Sequence, residues 1–168
     1  SSLTNSINNI TLNGTKRYIP PELFITYYLL KYSNKSTSYK TEYITNEINK
    51  NVKKAYKRIE ETNILDTLNE KVNMMINKIQ YLYNTDKLLD KYYGINTVSK
   101  YNGYLQKADV YALGITIFDT LQLKNHSNIN VREKKTPNSI YDLLLKMIDP
   151  NPNDRFNIIE CINHPYFK

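Results

Sequence analysis

The 168-residue chain has a single cysteine, Cys161, which excludes a disulfide scaffold and fits a reducing compartment. Only four glycines are present, too few for a collagen repeat. They stand at Gly14, Gly94, Gly103 and Gly114, too far apart to build a G-x-G-x-x-G phosphate loop. No apolar run approaches the ~18 residues that a membrane span requires. The opening Ser1-Ser2-Leu3-Thr4-Asn5 lacks a basic stretch followed by an apolar one, so no secretory leader is expected. It also lacks an initiator methionine, and the sequence is expected to be part of a longer one. An intracellular, cytoplasmic or nuclear location follows as the expectation. Tryptophan is absent, and arginine occurs only at Arg17, Arg58, Arg132 and Arg155.

What is present is lysine, asparagine and tyrosine. The chain carries 19 Lys, 23 Asn and 16 Tyr, a net charge of +7 and a sequence pI near 9.3. All three residues have AT-rich codons, so their abundance follows genome composition and says little about a task. Length and the 40% hydrophobic content are those of one globular domain.

Apolar residues recur at helical spacing almost throughout. After a polar stretch over residues 1–13, Pro20-Pro21 precede Leu23, Phe24, Tyr27, Tyr28 and Leu30, which fits a helix with proline in its first turn. Ser33 to Ser38 is a polar break. Ile44, Ile48, Val52, Tyr56 and Ile59 form one stripe, and Ile64, Leu65, Leu68, Val72, Met75, Ile76, Ile79 and Leu82 a second. Two stripes cannot both be buried by one helix, so residues 42–83 are expected to form a helical hairpin, broken at Asn63. Lys87 to Tyr93 reads as a short helix and residues 94–104 as a loop. Lys107 to Leu123 reads as a strongly apolar helix through Val110, Leu113, Ile117, Phe118 and Leu121, and Ser139 as the cap of another. The Asp149-Pro150-Asn151-Pro152-Asn153-Asp154 stretch is a turn. The fold class is all-α.

Three segments carry chemistry by their order. They are Gly14-Thr15-Lys16-Arg17-Tyr18-Ile19-Pro20-Pro21-Glu22; Lys107-Ala108-Asp109-Val110-Tyr111-Ala112-Leu113-Gly114; and Leu143 to Pro150 followed by Arg155 and His164-Pro165-Tyr166-Phe167. In this order they resemble the C-terminal lobe of eukaryotic-type serine/threonine protein kinases: the A-P-E end of the activation segment, the D-x-W-x-x-G start of the central helix, and the final arginine motif. The resemblance covers residues 11–30 and 105–168. It implies that Gly14, Thr15 and Tyr18 lie in the segment beside the bound substrate, with Thr15 hydrogen-bonding a catalytic aspartate and lysine. A threonine in a surface loop would read the same way. Thr11 falls where many kinases carry an activating phosphate, although the stretch is rich in hydroxyl residues generally. Asp109 resembles the aspartate that holds the backbone of the catalytic loop, with Tyr111 in place of the usual tryptophan. Glu22 and Arg155 resemble the structural ion pair that ties the activation segment to the lobe.

The resemblance also defines what is missing. No V-A-I-K lysine, H-R-D aspartate or D-F-G aspartate is present, and these are the groups that hold ATP, Mg²⁺ and the attacking hydroxyl. No catalytic residue is therefore assigned to this chain. It is expected to be inactive alone, with ATP and Mg²⁺ bound by other parts of a complete kinase that acts on protein substrates. The other reading is a catalytically degenerate kinase-like scaffold or binding module. The division expected is residues 1–30, the activation-segment end and the helix after it; residues 31–104, a helical insertion that could bind a protein partner; and residues 105–168, the lobe helices. The family's docking helix would have to fit in residues 124–137.

Weaker signals are read as structural. The basic run Lys50 to Arg58 could meet phosphates of nucleic acid or an anionic surface, but a solvated helix face is the preferred reading, and neither nucleic acid nor a membrane is taken as a partner. Cys161 and His164 have the spacing of half a metal site with no second pair, so no metal is assigned.

Overall fold

The structure is a computed structural model that describes residues 15–59, 62–81, 94, 97–125 and 138–168. Every regular element among these is helical: α1 (Pro21–Lys31), α2 (Thr37–Tyr56), α3 (Thr62–Tyr81), α4 (Val98–Asn125), α5 (Ile140–Met147) and α6 (Ile158–Ile162), with 3₁₀ turns at Lys16–Tyr18 and Pro165–Phe167. The expected short helix at 87–93, Gly14, Thr11 and residues 126–137 of the region expected to hold a docking helix lie outside the described residues, while residues 124 and 125 end α4. None of the described helices is long and apolar enough to cross a membrane.

Pro21 opens α1, where its missing N–H leaves no hydrogen bond unmade. Phe24, Ile25, Tyr28 and Leu29 turn inward from it. Ser36 caps α2 by accepting from the Tyr39 amide at 3.2 Å. On α2, Ile44, Ile48, Val52, Ala55 and Tyr56 form the buried face; on α3, Leu68, Val72, Met75, Ile76 and Ile79 do so. The two helices pack side by side as the expected hairpin. The break, however, falls after Tyr56 rather than at Asn63, which lies in the first turn of α3. Asparagine is favoured as a cap, but it is tolerated near a helix start, so its presence did not fix the boundary.

Helix α4 departs most from expectation. It is continuous over 28 residues from Val98, so the loop expected at 94–104 is helical from residue 98. Gly103 sits on its exposed side with nothing within 4 Å of a built Cβ, and costs the helix only its own conformational freedom. The buried stripe is Tyr101, Tyr104, Ala108, Tyr111, Ile115 and Phe118, spaced alternately by three and four residues, with Val110 beside it. Leu113, expected inside, is 45% exposed. The division at 104/105 thus falls inside one helix. Residues from α1, the α2–α3 hairpin, α4 and α5 share one apolar cluster.

Tyrosine supplies much of that cluster's edge. Tyr27, Tyr28, Tyr32, Tyr39 and Tyr43 pack ring on ring where α1 meets α2, with the Lys31 ammonium 5.5 to 6.0 Å from three of the rings.

Close approach of α4 and α5 depends on Gly114. A Cβ there would stand 2.8 Å from Ile148 Cγ2 and 2.9 Å from Met147 Cβ. Gly114→Ala is expected to lower stability by about 1–3 kcal/mol through overpacking. Gly103→Ala, on the open face of the same helix, should raise it by about 0.5–1 kcal/mol. Urea unfolding followed by circular dichroism measures both, and equal effects of the two changes would contradict the packing described.

Candidate functional site

The centre of the described structure is a charge pair between the start of α1 and the residue after the Asn-Pro-Asn-Asp turn. Arg155 Nη1 donates to Glu22 Oε1 at 2.5 Å and Nη2 to Oε2 at 3.0 Å, and both side chains are fully buried. The fork-on-fork geometry fixes direction as well as charge. Two further guanidinium donors are used by backbone: Nε by the Asp149 carbonyl at 2.9 Å and Nη1 by the Lys107 carbonyl at 3.1 Å. Below the guanidinium, 5.0 Å from its central carbon, is the ring of buried Tyr111. Burial works against the arginine's charge, but the Glu22 carboxylate more than offsets it and holds the guanidinium pKa above its ordinary value.

Local geometry aims Arg155 inward. Asp149 Oδ1 accepts from the Asn151 amide and Asn151 Oδ1 from the Asn153 amide, each at 2.9 Å. These side-chain turns stiffen the 149–154 segment. The Arg155 amide then donates to the Asn151 carbonyl at 3.0 Å. Lys107 Nζ closes the segment from α4 by donating to the Pro152 carbonyl at 2.8 Å.

The hairpin reaches the same turn. Buried Tyr56 of α2 donates to the Ile148 carbonyl at 2.6 Å. Lys71 of α3 contacts Asp149 at 2.6 Å and Asp154 at 3.2 Å. Burial opposes the Lys71 charge, yet its hydrogen bond and attraction to Asp149 leave its pKa raised. Burial pushes the Tyr56 phenol well up and the Tyr111 phenol up to about 12.

The remaining assigned residues separate. Asp109 is exposed on α4 and makes no hydrogen bond or ion pair with any described residue. Thr15 is exposed at the start of the 3₁₀ turn, and its hydroxyl caps nothing. Tyr18 is half-buried against the core. His164 Nδ1 accepts from the Tyr166 amide at 3.0 Å, and Nε2 contacts Asp142 Oδ2 at 2.6 Å, which gives this histidine a structural partner on each nitrogen. No group of three or more metal-ligating side chains occurs among the described residues. Sequence reading named Lys107, Asp149 and Tyr56 only as parts of a motif, a turn and a stripe, and did not name Lys71, because their roles in this network exist only once α4, the turn and the hairpin have met. Comparison with protein-family models, curated proteins and solved structures finds no match to this chain.

Arg155→Ala strands the Glu22 carboxylate in the core and should cost roughly 3–5 kcal/mol, a large part of a typical stability of about 5–15 kcal/mol. Lys71→Ala, at the wetter side of the same turn, should cost about 1 kcal/mol or less. Denaturant midpoints order the two variants, and an Arg155→Ala protein as stable as Lys71→Ala would contradict the buried pair.

The tyrosines predict an alkaline limit. The unfolded chain releases a phenol proton near 10.0, whereas folded Tyr111 keeps it to about 12. Stability from this group is whole below pH 10 and is lost as pH rises towards 12, by about 3 kcal/mol when the titration is complete. Tyr56 acts in the same direction. Chemical denaturation at stepped alkaline pH should show this fall, and Tyr111→Phe should make it shallower; an unchanged slope in that variant would overturn the assignment.

Proposed function

We propose that this chain is part of the C-terminal lobe of a serine/threonine protein kinase, whose complete form transfers phosphate from ATP to protein hydroxyls. The observation that carries the reading is the buried, bidentate Glu22–Arg155 pair. Its partners lie 133 positions apart, and the likeness to kinase motifs is what singled them out in advance. Three features agree with it. Gly114 lies where α4 packs closely on α5. Tyr111 fills the aromatic position of the central-helix motif and lies against the arginine. Asp109 offers an exposed carboxylate without a described partner, as a residue that grips a segment outside this chain would.

In this reading the chain's own residues position and do not transfer. Glu22 and Arg155 anchor the substrate-side segment, Thr15 presents its hydroxyl at that segment's exposed end, and Asp109 orients the catalytic loop. ATP and Mg²⁺ are held by residues beyond this sequence, where their charge neutralisation and in-line geometry supply the chemistry. A second reading, a kinase-like lobe that only binds a partner, is favoured by the contribution of the hairpin to a basic pocket beside Thr15.

Two measurements test the proposal. The isolated 168-residue chain should show no heat of MgATP binding by titration calorimetry, and a measurable heat would overturn the division of labour. The complete protein should carry H-R-D and D-F-G motifs before Ser1 and phosphorylate serine or threonine. There Asp109→Asn should depress kcat strongly, although in the isolated chain it changes stability by no more than about 0.5 kcal/mol. A complete protein without those acidic residues would establish the binding module instead.

A further inference from the structure

One feature of the sequence is left without a role by the ion-pair network: the basic run on α2. Lys50 and Lys54 lie four residues apart on one face of that helix, and Arg58 follows just beyond its C-terminal end. That face meets the 3₁₀ turn. The two enclose a cavity of about 250 Å³ lined by Lys50, Asn51, Lys54, Ala55 and Arg58 from α2 and its end, and by Thr15, Lys16 and Arg17 from the turn. Five cationic side chains border it.

Among the described residues two carboxylates, Glu47 and Asp119, are paired with these five cations. Arg17 pairs with Asp119 of α4, and Arg58 lies 3.8 Å from the same carboxylate. Lys16 lies 3.4 Å from Glu47. Lys50 and Lys54 make no ion pair or hydrogen bond with any described residue. Like charges four residues apart on a helix repel, and two such lysines are set beside Arg58, whose neighbour Asp119 is also contacted by Arg17. The Thr15 hydroxyl, uncommitted to capping, stands at the rim. Excess positive charge and a hydroxyl uncommitted to capping border one small volume.

We propose that this pocket binds a phosphomonoester dianion, carried by a phosphorylated serine or threonine of a peptide. A phosphate monoester brings about −1.5 to −2 charge at pH 7 and three acceptor oxygens, matching both the charge excess and the ammonium donors of Lys50 and Lys54. The cavity falls below the roughly 300–1,000 Å³ of sites that enclose whole small molecules, so it suits a phosphate group better than a nucleotide. The cations do not continue onto the next face: Lys53 is turned to Asn73 of α3 at 2.7 Å. A nucleic-acid backbone, with phosphates in sequence, would favour cations that continue beyond the cavity. The choice of a peptide as carrier rests on the proposed kinase reading, under which Thr15 lies along bound substrate; the affinity for a phosphate group does not. In that setting the pocket would select substrates already phosphorylated near the target hydroxyl.

The test uses the chain as it stands and measures binding without phosphotransfer. A fluorescent phosphothreonine peptide, its unphosphorylated twin, inorganic phosphate and a single-stranded RNA oligonucleotide are compared by anisotropy and competition at about 0.15 M salt. The phosphopeptide is expected to bind at least about tenfold more tightly than its twin. Lys50→Glu/Lys54→Glu, at two exposed positions, should abolish that difference with the melting temperature unchanged. Thr15→Ala should weaken it severalfold. Equal binding of the two peptides, or full binding by the charge-reversed variant, would overturn the proposal. Inorganic phosphate as effective as the phosphopeptide would make this a free-anion site and remove the peptide. Displacement by the RNA at lower concentration than by the phosphopeptide would assign the surface to nucleic acid. The kinase reading fails on different ground, the absence of H-R-D and D-F-G from the complete protein, which leaves these affinities unaltered.

Discussion

A guanidinium and a carboxylate withdrawn from water together are stable only if nearly every donor and acceptor they carry is answered. Arg155 meets this condition by drawing on three stretches of chain at once. Glu22 at the head of α1 supplies both carboxylate oxygens, α4 supplies the Lys107 carbonyl, and the turn before Arg155 supplies the Asp149 carbonyl. Displacing any one strands a charged group in the core. The pair therefore acts less as a source of net stability than as a constraint on register: α1, α4 and the turn must all be in place, or none is well placed.

The surrounding sequence can be understood as serving that constraint. Pro20 and Pro21 set Glu22 in the first turn of a helix, where free amide N–H groups also favour a carboxylate. The Asp149 and Asn151 side chains hold the turn so that Arg155 enters the core in one direction. Gly114 brings α4 against Met147 and Ile148, immediately before the turn that delivers the arginine. An added methyl at residue 114 would push at the approach on which the ion pair depends.

Much of this was legible from residues alone, and the failures share a physical cause. Caps at Ser139 and prolines at the head of α1 act over three or four residues, so local reading finds them. The hairpin was visible in its two aliphatic stripes. The start of α4 was missed because its first buried positions are Tyr101 and Tyr104, amphipathic residues in a chain full of tyrosine, with Gly103 between them. Leu113 was placed inside because leucine usually is, whereas the stripe defined by Ala108, Tyr111 and Ile115 turns it outward. The pairing of Glu22 with Arg155 was available only through family likeness, since no periodicity links positions so far apart. The basic pocket was half visible: one face of α2 was plainly cationic, but nothing in the sequence said that Thr15, Lys16 and Arg17 would close over it.

That closure shows how α2 serves the shared apolar cluster and the cavity at once. Helix α2 has two faces with different duties. Val52, Ala55 and Tyr56 look into the core, and Tyr56 holds the Ile148 carbonyl beside the one that receives Arg155. Lys50 and Lys54, with Arg58 just past the helix end, border the cavity beside the 3₁₀ turn. Turning the helix to relieve repulsion on the cationic face would pull Tyr56 from a buried acceptor and leave both groups unsatisfied. The cations are thus held close together by the packing of the opposite face, in advance of any ligand. A site kept in that state requires little ordering when an anion enters, so more of the charge attraction remains as affinity. The hydrogen bond from Tyr56 beside the central ion pair, and the concentration of positive charge at the edge of the fold, are two consequences of one helix docked in one rotation.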